Sequence, residues 1–320
     1  AVTVEDWVSS LSAGSGVDLS SFLTWYNQPG TPKLEAKGQY DAATQTYRLS
    51  FKQSLKAHAK YPNLKAVPIP VALALFDATT GEQLVLSSDA LFEDNVKDGM
   101  YLFDTDTASI TFTNVATQPV VSLLRNFSAP VNLEFNYSDE QLAFLLRYET
   151  NGFNQWQASQ TLLENILLKD HNAQVYLDAI SAPDFLGKLI STDPLLVSRL
   201  FDVPTEGYLA SRIDQNYNPL VIKEKREALL NAVATIFKGF WKNVYQVLDE
   251  PEDFSQAMGV RAVKNIALSM MARQGDDEVF TLAEAQYRTT KNMSLRLGAL
   301  KVLVWNDAPQ AESALIDFYL

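Results

Sequence analysis

The stretch VNLEFNYSDEQLAFLL, Val131–Leu146, changes its period halfway along and so decides the fold. In its first half Val131, Leu133 and Phe135 alternate with Asn132, Glu134 and Asn136, the two-residue repeat of a half-buried strand. Ser138 and Gln141 then stand three apart before an apolar run. That is a capping box, in which each side chain satisfies the other's free backbone N–H at a helix start. Strands before this point and helices after it predict a β domain followed by an α domain.

Upstream, the same alternation recurs. Tyr47, Leu49 and Phe51 interleave with Arg48, Ser50 and Lys52, and Ile110 and Phe112 with Ser109, Thr111 and Thr113. VALALF, Val71–Phe76, is apolar on both faces and is expected to be central. Turn chemistry at Asp41–Thr44, Asp77–Gly81 and Lys97–Gly99 separates the segments. About seven strands in roughly 105 residues predict an antiparallel β-sandwich. Ahead of them, Thr3 is placed to cap a helix carrying Trp7, Val8 and Leu11, ended by Gly14-Ser15-Gly16. Asp18 is placed to cap a second with Leu19, Phe22, Leu23 and Tyr26, which Pro29, Gly30 and Pro32 stop.

Downstream, Gly152 is expected to end the first helix. Further helices are expected over Phe153–Lys169, Pro194–Phe201, Pro219–Leu248, Phe254–Arg273, Phe280–Thr289 and Leu295–Trp305, and in AESALIDFYL at the end. Successive helices with short linkers predict an α-solenoid-like array. The array stops on Phe318-Tyr319-Leu320 without a polar cap, and the chain starts without Met, so both ends read as cut.

Composition narrows the function. The 320 residues carry a net charge of −12, which argues against a nucleic-acid partner. Cysteine is absent, which removes disulfides and thiolate metal sites and fits a cytoplasmic setting. No apolar run approaches the roughly 18 residues of a membrane helix, and no signal peptide precedes the first helix.

Catalytic chemistry is hard to find. His58 and His171 stand outside any His-Glu-x-x-His arrangement, and a solvated or capping role is expected for both. Asp104 and Asp106 echo a cation loop without its Gly and Glu, so they read as a turn. The acids of Asp249–Asp253 suit the start of the following helix, and Trp25 and Tyr26 read as packing rather than a stacking platform. Three sequons, at Asn126, Asn136 and Asn292, are chance matches. No residue is nominated as catalytic, cofactor-binding or metal-ligating.

Several strings together resemble the M1 zinc aminopeptidases, in their bacterial aminopeptidase N branch. They are VDLSSFLTWYNQPGTP (17–32), PIPVALALFD (68–77), QPVVSLLRNFSAPVNLEF (118–135) and YSDEQLAFLLRYETNGFNQWQASQTL (137–162), with weaker echoes in NPLVIKEKREAL, RAVKNIAL and KNMSLRLGALKVLV. The resemblance implies a four-domain zinc enzyme that removes N-terminal residues from peptides. Its zinc-binding His-Glu-x-x-His, downstream Glu, amine-binding Gly-Ala-Met-Glu-Asn-type stretch and oxyanion Tyr match nothing here, so no role carries over to a residue of this chain. The expected organisation is residues 1–28 as the helical tail of a catalytic domain, 29–136 as the β-sandwich and 137–320 as the first part of a helical domain. The cofactor is then zinc in the parent and none here; the partners are the parent's catalytic domain and its peptide substrates. The competing reading is an independent protein-binding module built on the helical array.

Overall fold

The computed structural model describes residues 2–87, 99–213 and 218–320. They divide into two compact units, 1–155 and 156–320.

The first unit opens with α1 (Val4–Ser15), whose N-cap Thr3 exchanges capping-box hydrogen bonds with Asp6 and whose C-cap Gly16 is left-handed. A 3-10 turn (Ser20–Leu23) and the short α2 (Thr24–Asn27) follow, with Asp18 Oδ1 accepting from Ser20 N. Seven strands come next among the described residues: β1 (Lys33–Asp41), β2 (Thr46–Ser54), β3 (Ile69–Asp77), β4 (Met100–Phe103), β5 (Thr107–Phe112), β6 (Pro119–Leu123) and β7 (Asn132–Glu134). They form a four-stranded sheet, β5-β2-β1-β7, and a three-stranded sheet, β4-β3-β6. All pairings are antiparallel except β1 with β7, which run parallel from Lys33 opposite Asn132.

The alternation works as expected. Tyr47, Leu49 and Phe51 are buried while Arg48, Ser50 and Lys52 are exposed, and every residue of Val71–Phe76 is buried. Tyr47, Leu49, Phe51, Val71, Leu73 and Leu75 meet Leu34, Phe103, Ile110 and Phe112 in one core between the sheets. Asp41 and Asp77 make the expected turns, each carboxylate accepting two backbone N–H groups ahead of it. The third expected turn, at Lys97–Gly99, lies outside the described residues except for Gly99. Gln53 is buried and fully engaged, donating to the carbonyls of Val67 and Thr105 and accepting from Val67 N.

The capping box of Ser138 and Gln141 starts α3 (Asp139–Tyr148). Gly152 does not end it. The helix stops at Tyr148 because Glu149 turns extended, and Gly152 is the first residue of α4 (Gly152–Lys169). Tyr148 lies on the Asp77–Gly81 turn, where a Cβ on Gly81 (φ 77°) would come within 2.2 Å of its ring.

The second unit is an array of helices: α5 (Ala173–Ile180), α6 (Phe185–Thr192), α7 (Pro194–Leu200), α8 (Glu206–Ser211), α9 (Pro219–Ile236), α10 (Lys238–Val247), α11 (Phe254–Ala272), α12 (Asp277–Thr289), α13 (Met293–Trp305) and α14 (Ala311–Tyr319). Most begin at a polar N-cap: Asn172, Asp193, Thr205, Asn218, Asp253, Asp276 and Asn292 each accept a backbone N–H from the first turn. The single helix expected over Pro219–Leu248 is two, broken at Phe237 (φ −99°, ψ 19°) just before Gly239. Helices α5, α6 and α8 are additional to those expected. Trp241 is fully buried, 4.6 Å from Phe201 between ring centroids, and Tyr287 is buried in a cluster with Leu268, Leu300 and Ala314.

Candidate functional site

The residues weighed for chemistry do not converge. Lys60 N donates to His58 Nδ1 at 3.3 Å beside the ring of Tyr61, in a tight turn, while His171 N donates to the carbonyl of Asn165 just beyond α4. Asp104 and Asp106 occupy the β4–β5 turn, where the Asp106 carbonyl accepts from Gln53 N. In the Asp249–Asp253 run, Asp253 caps α11 and Glu250 pairs with Arg261 at 2.8 Å. Among the described residues no three His, Asp or Glu side chains come together as a metal would require. No helix of the described residues is long and apolar enough to cross a membrane.

Trp25 and Tyr26 part company. Trp25 packs against the sandwich core and donates from Nε1 to the Pro68 carbonyl at 2.9 Å. Gln28 adds a two-way link, donating to the Lys65 carbonyl and accepting from Lys65 N. Tyr26 faces outward at 53% exposure, edge-on to a Phe22 that is 37% exposed. Together with Trp7 (49%) and Leu11 (44%) on α1, they make the segment before β1 rich in uncovered large apolar side chains.

That segment also borders an open hollow of about 570 Å³ lined by Val8, Ser12, Gly16, Asp18 and Leu23. Hydrogen bonds from Ser20, backbone first and then hydroxyl, hold the Asp18 carboxyl below its ordinary range. The candidate site is thus an interaction surface anchored to the sandwich through Trp25 and Gln28. The exposure of Trp7, Leu11 and Tyr26 follows from tertiary packing, and the helical spacing alone gives no sign of it.

Residues 30–136 match the family model of a domain of unknown function, DUF3458, described as Ig-like, and residues 139–320 match DUF3458_C, described as ARM repeats. This chain belongs to the DUF3458_C family, whose model spans more than half of it. The chain is 30% identical to aminopeptidase N of Escherichia coli over 99% of its own length and 37% of that protein's. It is 28% identical to aminopeptidase N of Haemophilus influenzae, covering 94% of itself and 35% of the relative, and 28% identical to that of Caulobacter vibrioides, covering 100% and 36%. A crystal structure of Legionella pneumophila aminopeptidase A in complex with aspartic acid superposes at a TM-score of 0.80 and 26% identity, covering 100% of this chain and 37% of that one. The chain therefore spans little more than a third of the relatives it matches.

Proposed function

We propose that this chain is the non-catalytic part of a zinc-dependent aminopeptidase that removes N-terminal residues from peptides in the cytoplasm. The observation that carries the reading is the coverage: relatives named aminopeptidase N match nearly the whole chain, while the chain spans 35–37% of them. Zinc, its ligands and the catalytic domain belong in this reading to the same parent, upstream of Ala1. Residues 1–28 are then the tail of the catalytic domain, with the exposed Trp7, Leu11 and Tyr26 as the surface it covers. Residues 29–136 and 137–320 position and close over the catalytic cleft, admitting peptides and excluding folded proteins.

The test is an assay of the 320-residue chain with zinc and an alanine chromogenic amide, beside the product of the full reading frame. The chain is expected to be inactive and the full product active. Turnover by the chain alone, or an upstream frame without His-Glu-x-x-His, would sink the proposal.

A further inference from the structure

A second cavity, about 420 Å³, opens in the helical unit between α10 and the start of α12. Its volume lies within the roughly 300–1,000 Å³ of small-ligand sites. Trp241, Met271, Val279 and Leu282 give it an apolar lining. Lys238, Lys242 and Gln246, at successive four-residue steps and so on one face of α10, line one side. Asp276 and Glu278, the N-cap and first turn of α12, line the other.

Two features set this cavity apart from an ordinary packing gap. Its ammonium and carboxylate groups do not neutralise each other: neither Lys238 nor Lys242 has an ion-pair partner among the described residues, and neither Asp276 nor Glu278 has one. The second feature is Trp241. Its side chain is fully buried, and its indole N–H finds no acceptor among the described residues. A buried donor without a partner is uncommon in folded proteins.

We infer that this cavity binds a short peptide with free ends and apolar side chains. Its carboxylate lies toward Lys238 and Lys242, its ammonium toward Asp276 and Glu278, and its side chains against Met271 and Val279. The orientation follows from charge. The acids in the first turn of α12 already answer the positive end of that helix and leave it attractive to a cation, while Lys238, at the start of α10, adds to a field that favours an anion. Trp241, whose ring borders the cavity, reports on its occupancy. That such peptides are what the parent acts on rests on the aminopeptidase reading, but occupancy of this cavity does not.

The experiment uses the full 320-residue chain, labelled with ¹⁵N, and follows the indole N–H signals of its five tryptophans as leucyl-leucine is added. A Trp241→Phe variant assigns the Trp241 signal. A saturable shift of that signal is expected, weakened about three- to tenfold by Lys242→Ala, by Glu278→Ala, and by amidating or acetylating the dipeptide. Both variants alter exposed side chains. Absence of a saturable shift, or equal binding by amidated, acetylated and free dipeptide, overturns the inference. No turnover is read, so failure of the aminopeptidase reading would leave a positive result standing.

Discussion

Arg125 Nη2 donates to Glu149 Oε1 at 2.7 Å, and the two side chains are 4% and 0% exposed. The pair lies 24 positions apart, on the loop after β6 and at the end of α3. Glu149 Oε1 also accepts from the backbone N–H groups of Thr150 and Asn151, and Arg125 reaches the Thr150 hydroxyl. Around it Leu124, Asn126 and Phe127 all have positive φ, a strained run that the network holds in place. Removing one partner leaves an uncompensated buried charge, whereas replacing both with apolar residues does not. Arg125→Met is therefore expected to cost about 3–5 kcal/mol and Arg125→Met with Glu149→Leu distinctly less. Native-state hydrogen exchange of β3 amides measures both. A double variant as unstable as the single one would contradict the account.

The segment before β1 gives a prediction of the opposite kind. Of α1 only Val8 is buried, and Trp7 and Leu11 are about half exposed. A helix that buries so little is held chiefly by its caps and opens locally at small cost. Its amides are expected to exchange orders of magnitude faster than those of β3, where Leu73, Leu75 and Phe76 are buried. Protection of α1 equal to that of β3 would show that its caps and the following turn hold it far more firmly than its burial implies.

The contrast between these two regions explains what the sequence made legible. Strands with one wet face declare themselves by period two, and Tyr47, Leu49 and Phe51 do so. Helix starts declare themselves through a local hydrogen bond, as at Thr3 and Ser138. The end of α3 is set instead by Glu149, whose partner Arg125 lies on another element, so Gly152 offered a misleading local stop. The apolar stripe from Leu229 to Val244 likewise runs through Phe237 without interruption. The break there is visible only in the backbone, and Gly239 was its one local hint. The cavity lined by Trp241 and Glu278 joins helices whose sequence separation conceals it.

Acid should loosen the last helix. Tyr287 donates to Asp317 Oδ2 at 2.8 Å, and Arg296 donates to the same oxygen at 2.8 Å, tying α14 to α12 and α13. The Tyr287 hydrogen bond, followed by that of Arg296, holds the Asp317 carboxyl below its ordinary 3.8. A carboxyl lowered in the folded state contributes stability that is complete above its unfolded value and is lost as pH falls through the folded one. Asp317→Asn is thus expected to melt below the parent chain at neutral pH, with the gap closing as pH drops beneath 3.8. A gap that stays constant or widens in acid would rule out this carboxylate as the source.

Packing of α11 against α7 depends on a missing side chain. Gly259 is buried on α11, and a Cβ there would lie 2.7 Å from Leu195 N and 2.8 Å from Pro194 Cγ. Neither contact can yield easily, since one is backbone and the other a ring at the first position of α7. Gly259→Ala is expected to cost about 1–3 kcal/mol through overpacking. Gly187, in α6, has nothing within 4 Å of its would-be Cβ. There the same change should stabilise, by up to about 1 kcal/mol, because alanine favours the helix and restricts the unfolded chain. Urea unfolding followed by the helical circular dichroism signal reads both variants. Equal effects at Gly259 and Gly187 would mean that helix propensity, and not the α7 contact, governs both positions.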